Sequence, residues 1–211
     1  MASATTVSAA PLLEVEGLEC RRGERSLFKG LRFSLAPGRI VWIRGANGRG
    51  KTTLLRTLAG LSRAEAGSVR WREPPPRRAL YLAHGNGLKD DLGAAEALAV
   101  LLRLDGAAAG EAEVAAALDR VGLASRRHAP VRTLSQGQRR RVALARLTQA
   151  GGASTWLLDE PYDALDSAGC ALLDALLAGH AAGGGGIVLT SHLPLAIAEP
   201  VPESVSLDPA A

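Results

Sequence analysis

A mainly parallel α/β core, with an N-terminal antiparallel β subdomain and an α-helical insert, is the fold class predicted for this chain. Three observations predict it. Short unbroken apolar runs, RIVWIRG at 39–45, ALYLA at 79–83, WLLDE at 156–160 and GIVLTSH at 186–192, have the character of strands buried on both faces. Residues 12–20 (LLEVEGLEC) alternate loosely and LRFSL at 31–35 alternates clearly, as expected of an antiparallel sheet with one exposed face. From about 92 to 150 the chain turns to alanine- and leucine-rich helical segments broken by glycines. The 211 residues suit one domain, 1–211, with a helical subdomain at about 88–150.

Taken in order, the opening MASATTVSAA has neither a basic start nor an apolar segment and reads as a loose tail. After the strand at 39–45, KTTLLRTLAGL at 51–61 sets Leu54, Leu55, Leu58 and Leu61 on one helical face. EPPPRR at 73–78 is expected to be a surface connection, because proline cannot donate to a strand ladder. GGGG at 183–186 is expected to be a helix-to-strand turn.

Composition narrows the classes. Hydrophobic residues make up 47% of the chain, enough for a sizeable core. No run approaches the roughly eighteen uncharged apolar residues of a spanning helix. Cys20 and Cys170 have no partners at metal-ligand spacing and are expected to be buried, reduced thiols of a cytoplasmic protein. A net charge of +4 permits contact with nucleic acid or an anionic membrane surface, but the arginines are spread along the chain, so charge alone decides nothing.

Three motifs carry chemistry. GANGRGKT at 45–52 fits the phosphate-loop pattern G-x-x-x-x-G-K-[ST] in full, between a strand and an amphipathic helix. Glycines let such a loop curl its N–H groups inward at phosphates, and the following helix presents its positive end to them. The candidate nucleotide-binding residues are Gly45, Asn47, Gly48, Gly50, Lys51, Thr52 and Thr53. Lys51 would reach the β- and γ-phosphates, and the Thr52 hydroxyl would hold Mg²⁺. WLLDEP ends a buried strand with two acids, costly to place without a cation or a task. Asp159 fits a Mg²⁺-organising role through bound water, and Glu160 that of general base; the bland alternative is that both cap the next helix. In LSQGQRRRVAL at 134–144, Ser135, Gly137 and Gln138 open a basic helix and could bind phosphate oxygens, or simply cap it.

With GANGRGKT, LSQGQ and WLLDE in this order, joined by DALD at 163–166 and LTSH at 189–192, the chain resembles an ABC-type ATP-binding cassette over nearly its whole length. The resemblance implies a P-loop NTPase core that binds ATP with Mg²⁺. It implies a homodimer around two ATP, each held between one copy's phosphate loop and the other's signature. DALD matches the D-loop, and His192 the switch histidine at the γ-phosphate. Arg22 falls where an aromatic residue usually stacks on adenine; a guanidinium can stack too, or Arg22 is a solvated surface arginine. His84 stands where most cassettes have a glutamine that touches Mg²⁺ and the attacking water. It could contact the water or γ-phosphate, Asn86 could supply an amide instead, or His84 only packs at a strand end.

YLAHGNGLKDDL at 81–92, CRRGERSLFKGLRFSL at 20–35, the arginine-rich signature helix and TSHLPL together resemble the ATPase subunit of the heme exporter of cytochrome c maturation. That branch implies integral membrane permease subunits as partners and a peripheral location on the cytoplasmic face of the cell membrane. Gly85 and Asn86 depart from its usual glutamine and proline. An exporter of another cargo, a drug or lipid, is the alternative. A soluble cassette ATPase acting on nucleic acid is disfavoured, since the chain has no paired cassette, coiled-coil insert or zinc-binding cysteines, and no direct nucleic-acid contact is expected.

Overall fold

The computed structural model of the chain describes residues 10–72, 79–150 and 155–208. The expected loose tail, apart from Ala10, and the proline connection at 73–78 lie outside the described residues. The observed architecture is of the predicted class. Strands β1 (Leu13–Arg22), β2 (Arg25–Leu35) and β4 (Ala66–Trp71) form an antiparallel sheet in the order β2-β1-β4. Strands β3 (Ile40–Arg44), β5 (Ala79–Leu82), β6 (Thr155–Leu158), β7 (Gly186–Thr190) and β8 (Glu203–Ser206) form a second sheet in the order β5-β6-β7-β3-β8, parallel throughout. Neither β4 nor β8 is expected from the sequence pattern; AGSVRW is largely exposed and ESVS is a polar edge strand.

The unbroken apolar runs are explained by what lies on each face of the parallel sheet. Val41, Ile43, Leu157 and Val188 point into one core, with the antiparallel sheet and helix α1 (Lys51–Leu58). Their alternates Ile40, Trp156, Leu158, Ile187 and Leu189 point into a second core, with helices α4 (Gln136–Leu144) and α5 (Ser167–Ala182). Period-2 alternation is invisible in sequence when both faces are apolar. Leu54, Leu55 and Leu58 are at most 1% exposed, each contributing roughly 1.5–3 kcal/mol of burial. Leu61 departs from expectation: α1 ends at Leu58, Gly60 turns the chain left-handed, and Leu61 is 56% exposed.

A third core belongs to the helical segment. Ala94, Leu98 and Leu102 of α2 (Ala94–Leu104) meet Val114, Ala117 and Leu118 of α3 (Glu111–Arg120), with Val142 of α4 beneath them. This segment is tied back to the sheet by Arg146, which forms a bidentate pair with Asp105 at 2.6 Å for both bonds and also donates to the Tyr81 carbonyl. With both side chains mostly covered, that pair outweighs open ones such as Arg70–Glu14, which are worth at most about 1 kcal/mol. Cys20 is buried as expected, but Cys170 is only partly buried, because it lies off the stripe of Gly169, Leu173, Leu177 and Ala181 that α5 buries.

Because β3, β5, β6 and β7 run parallel, their carboxyl ends share one edge of the sheet. The segments that follow them are the phosphate loop, the His84 loop, the acid pair and Ser191–His192. Open parallel sheets bind ligands at this edge.

Candidate nucleotide site

The phosphate loop joins β3 to α1 in a tight curl. Gly50 has φ 99°, and a Cβ there would lie 3.0 Å from Leu27 Cβ, so both the conformation and the space call for glycine. The loop wraps Lys51, whose Nζ donates to the Gly45 carbonyl at 2.9 Å and lies 3.9 Å from Glu160 Oε1. Lys51 is 8% exposed, a cation held at the floor of the loop rather than in solvent.

The acid pair follows β6. Asp159 is 1% exposed, and its Oδ1 accepts from Thr190 Oγ1 at 3.0 Å. The same hydroxyl accepts from the Glu160 N–H at 2.8 Å, so one side chain on β7 orders both acids. Glu160 is left-handed at φ 46°, a conformation that costs a non-glycine residue about 1–3 kcal/mol and clusters at functional sites. Glu160 Oε2 accepts from the His192 N–H at 3.0 Å. His192 Nε2 lies 3.3 Å from Oε1 but is not aligned to bond it. Among the described residues, Glu160 Oε1 and Asp159 Oδ2 are buried oxygens with no hydrogen-bond partner. Burial pushes the Glu160 carboxyl above the ordinary glutamate value, with His192 and Lys51 offsetting part of the rise.

A cleft of about 400 Å³ opens over these groups. Asn47, Gly48, Gly50, Lys51, Thr52 and Thr53 line it from the loop, His84, Glu160 and His192 from the strand ends, and Arg22 and Arg25 from the antiparallel sheet. Arg25 was not anticipated; as one exposed arginine in a basic stretch, it carries no signal of its own. Gly45 and Asp159 are not on its lining; Gly45 lines a neighbouring cleft with Trp42 and Ser191. His84 and Asn86 separate clearly. His84 reaches the cleft, with Nδ1 3.4 Å from Asp163 Oδ2, whereas the Asn86 amide oxygen is taken by Arg140 at 3.2 Å.

Ser135, Gly137 and Gln138 are not brought to this cleft. Ser135 caps α4: its Oγ accepts from the Gln138 N–H at 3.2 Å, and the Gln138 side chain accepts from the Ser135 N–H at 3.0 Å. Gly137 packs so tightly that a Cβ would sit 2.8 Å from the Ala164 carbonyl, and Arg141 pairs with Asp166. The helix start is thereby seated against the 163–166 loop.

The donor set suits a hard cation such as Mg²⁺. The orphaned Asp159 Oδ2 and the Thr52 hydroxyl are oxygen donors, and Mg²⁺ is ordinarily held by one or two protein oxygens together with substrate phosphates. No group of three or more His, Cys, Asp or Glu side chains able to hold a metal by itself occurs among the described residues.

Residues 28–163 match the family model described as ABC transporter. A cytochrome c biogenesis ATP-binding export protein CcmA of Methylococcus capsulatus is 48% identical, over 88% of this chain and 93% of that protein. The corresponding protein CcmA 1 of Cupriavidus metallidurans is 46% identical, over 89% and 94%. Among solved structures, a Pyrococcus furiosus protein described as the ATP-binding protein of an ABC transporter superposes with a TM-score of 0.79. It covers 92% of this chain and 96% of that one at 22% identity, a likeness of fold alone.

Proposed function

We propose, from the premise that the chain belongs to the ABC transporter family and within it to the cytochrome c biogenesis ATP-binding export proteins, that it is the ATP-hydrolysing subunit of a heme exporter. The observation that carries this reading is the near full-length likeness to proteins named as cytochrome c biogenesis ATP-binding export proteins. Residues 1–211 form one ATP-binding domain with a helical subdomain at about 88–150. Its partners are integral membrane permease subunits and a second copy of the chain. Among the described residues no helix is long and apolar enough to cross a membrane; in this reading the permease subunits hold the chain at the cytoplasmic face.

In this reading the loop N–H groups and Lys51 bind the ATP phosphates, with Arg22 beside the base. Thr52 and Asp159 would hold Mg²⁺, which when bound would supply positive charge to the ATP phosphates. Ser135, Gly137 and Gln138 of the second copy close over the γ-phosphate. Glu160 Oε1, buried and unpartnered, takes a proton from the attacking water as its oxygen bonds to the γ-phosphorus and the bond to the ADP oxygen breaks. His192, held through its N–H by Glu160, contacts the γ-phosphate. Catalysis is thus positioning and charge stabilisation, with ATP closing the dimer and hydrolysis reopening it.

Purification of the tagged chain from membranes of cells making c-type cytochromes tests the assignment. Co-purification of integral membrane subunits encoded beside cytochrome-assembly genes is expected; recovery without any membrane subunit refutes it. His84 gives a second expectation. His84→Ala should lower ATPase turnover about tenfold, the worth of one hydrogen bond of about 1.4 kcal/mol in the transition state. His84→Gln, which restores a polar group of similar reach, should recover most of that rate. If both variants turn over at the parental rate, His84 takes no part in hydrolysis.

A further inference from the structure

Arg140 lies outside the cleft, in the middle of α4, and is 2% exposed. Its Nε donates to the Pro161 carbonyl at 3.2 Å, and its Nη2 to the carbonyls of Asp159 and Glu160 at 3.1 and 2.6 Å. Its Nη1 is shared among the carbonyls of Ala83 and His84 and the Asn86 amide oxygen, at 3.2, 3.3 and 3.2 Å. Every acceptor therefore belongs to one of two segments, the loop that carries His84 and the turn that carries Glu160.

The arrangement explains how that turn keeps its shape. Carbonyls 159, 160 and 161 converge on one guanidinium, which compensates the left-handed backbone at Glu160. A planar fork of five N–H donors suits this task; an ammonium, with three donors on one atom, cannot span both segments. Burial lowers the pKa of Arg140, but the nearby carboxylates of Asp163, Asp159 and Glu160 favour its charged form. The flanking arginines bind elsewhere: Arg139 pairs with Asp90 at 3.2 Å, and Arg141 with Asp166.

We propose, on the nucleotide-site reading given above, that Arg140 is a positioning residue for hydrolysis, clamping the His84 loop and the Glu160 turn to the helix that begins at Ser135. The three groups then move as one body. Because Ser135 serves the nucleotide of the second copy, a shift at His84 or Glu160 in one site is carried to the signature acting in the other.

The test measures steady-state turnover and nucleotide affinity for the parent chain, Arg140→Met and Arg140→Lys, well below their unfolding midpoints. In Arg140→Met, kcat is expected to fall at least tenfold while KM and ATP affinity stay within about threefold. Arg140→Lys, which keeps the charge and part of the hydrogen bonding, is expected to fall between that variant and the parent. Turnover within twofold of the parent in both variants overturns the proposal. So does a parallel loss of ATP affinity and turnover, or failure of both variants to fold, since Arg140 is then a folding determinant. A parent chain that neither binds nor hydrolyses ATP overturns the nucleotide-site reading itself, whereas an active parent matched by its Arg140 variants removes only the clamp.

Discussion

Glu160→Gln is expected to lower ATP turnover by at least about 100-fold while ATP binding stays within about threefold of the parent. The magnitude follows from what the substitution changes. Glutamine keeps the shape of the side chain and an oxygen able to accept the His192 N–H, so the turn held by Thr190 and Arg140 need not move. It replaces one carboxylate oxygen by an amide nitrogen at a side chain that lines the cleft and whose Oε1 is buried without a hydrogen-bond partner, and so removes the capacity to take a proton. ATP should therefore still close two copies, and the closed dimer should accumulate in place of ADP. Size-exclusion chromatography with Mg²⁺ and ATP, alongside phosphate release, reads both effects. Comparable hydrolysis by mutant and parent removes Glu160 as the base. The parent should also lose turnover as the pH falls through a value above the ordinary glutamate range. Burial raises the Glu160 pKa, and only the unprotonated carboxylate can accept the proton.

Lys51→Ala should lower ATP affinity by roughly 100-fold, since a charge-assisted bond to phosphate is worth about 1.5–3 kcal/mol and each 1.4 kcal/mol is tenfold. The lysine is already placed for the task, held by the Gly45 carbonyl at the floor of the loop. The change also leaves Glu160 without the cation 3.9 Å away, so a modest loss of thermal stability is expected as well. Equilibrium titration with a fluorescent ATP analogue, checked by circular dichroism for an intact fold, measures the effect. Retained tight binding would show that the loop backbone suffices and that the Lys51 assignment is wrong.

What was legible in the sequence follows from which features are local. The phosphate loop is one contiguous segment, so spacing alone exposes Gly50 and Lys51. The buried strands announce themselves as apolar runs because both faces of the parallel sheet are covered. β4 and β8 escaped because their residues are mostly exposed and carry no apolar pattern. Arg140 escaped for another reason. Three arginines stand in a row at 139–141, and only tertiary packing determines that the middle one is buried among the carbonyls of two distant loops. The left-handed backbone at Glu160 is equally silent in sequence, since a glutamate there gives no hint of positive φ. The choice between His84 and Asn86 depended on the same arginine: once Arg140 takes the Asn86 oxygen, His84 is the residue left facing the cleft.

The proposed function joins two claims, that Glu160 drives ATP hydrolysis and that this hydrolysis serves heme export for c-type cytochromes. Heme-stained c-type cytochromes, measured in cells whose chromosomal copy carries Glu160→Gln, test both together. Heme-bearing c-type cytochromes should disappear while the mutant chain stays in the membrane fraction with its permease subunits. Undiminished heme-bearing cytochrome, with the mutant present at parental level and unable to hydrolyse ATP, would exclude this chain from that export.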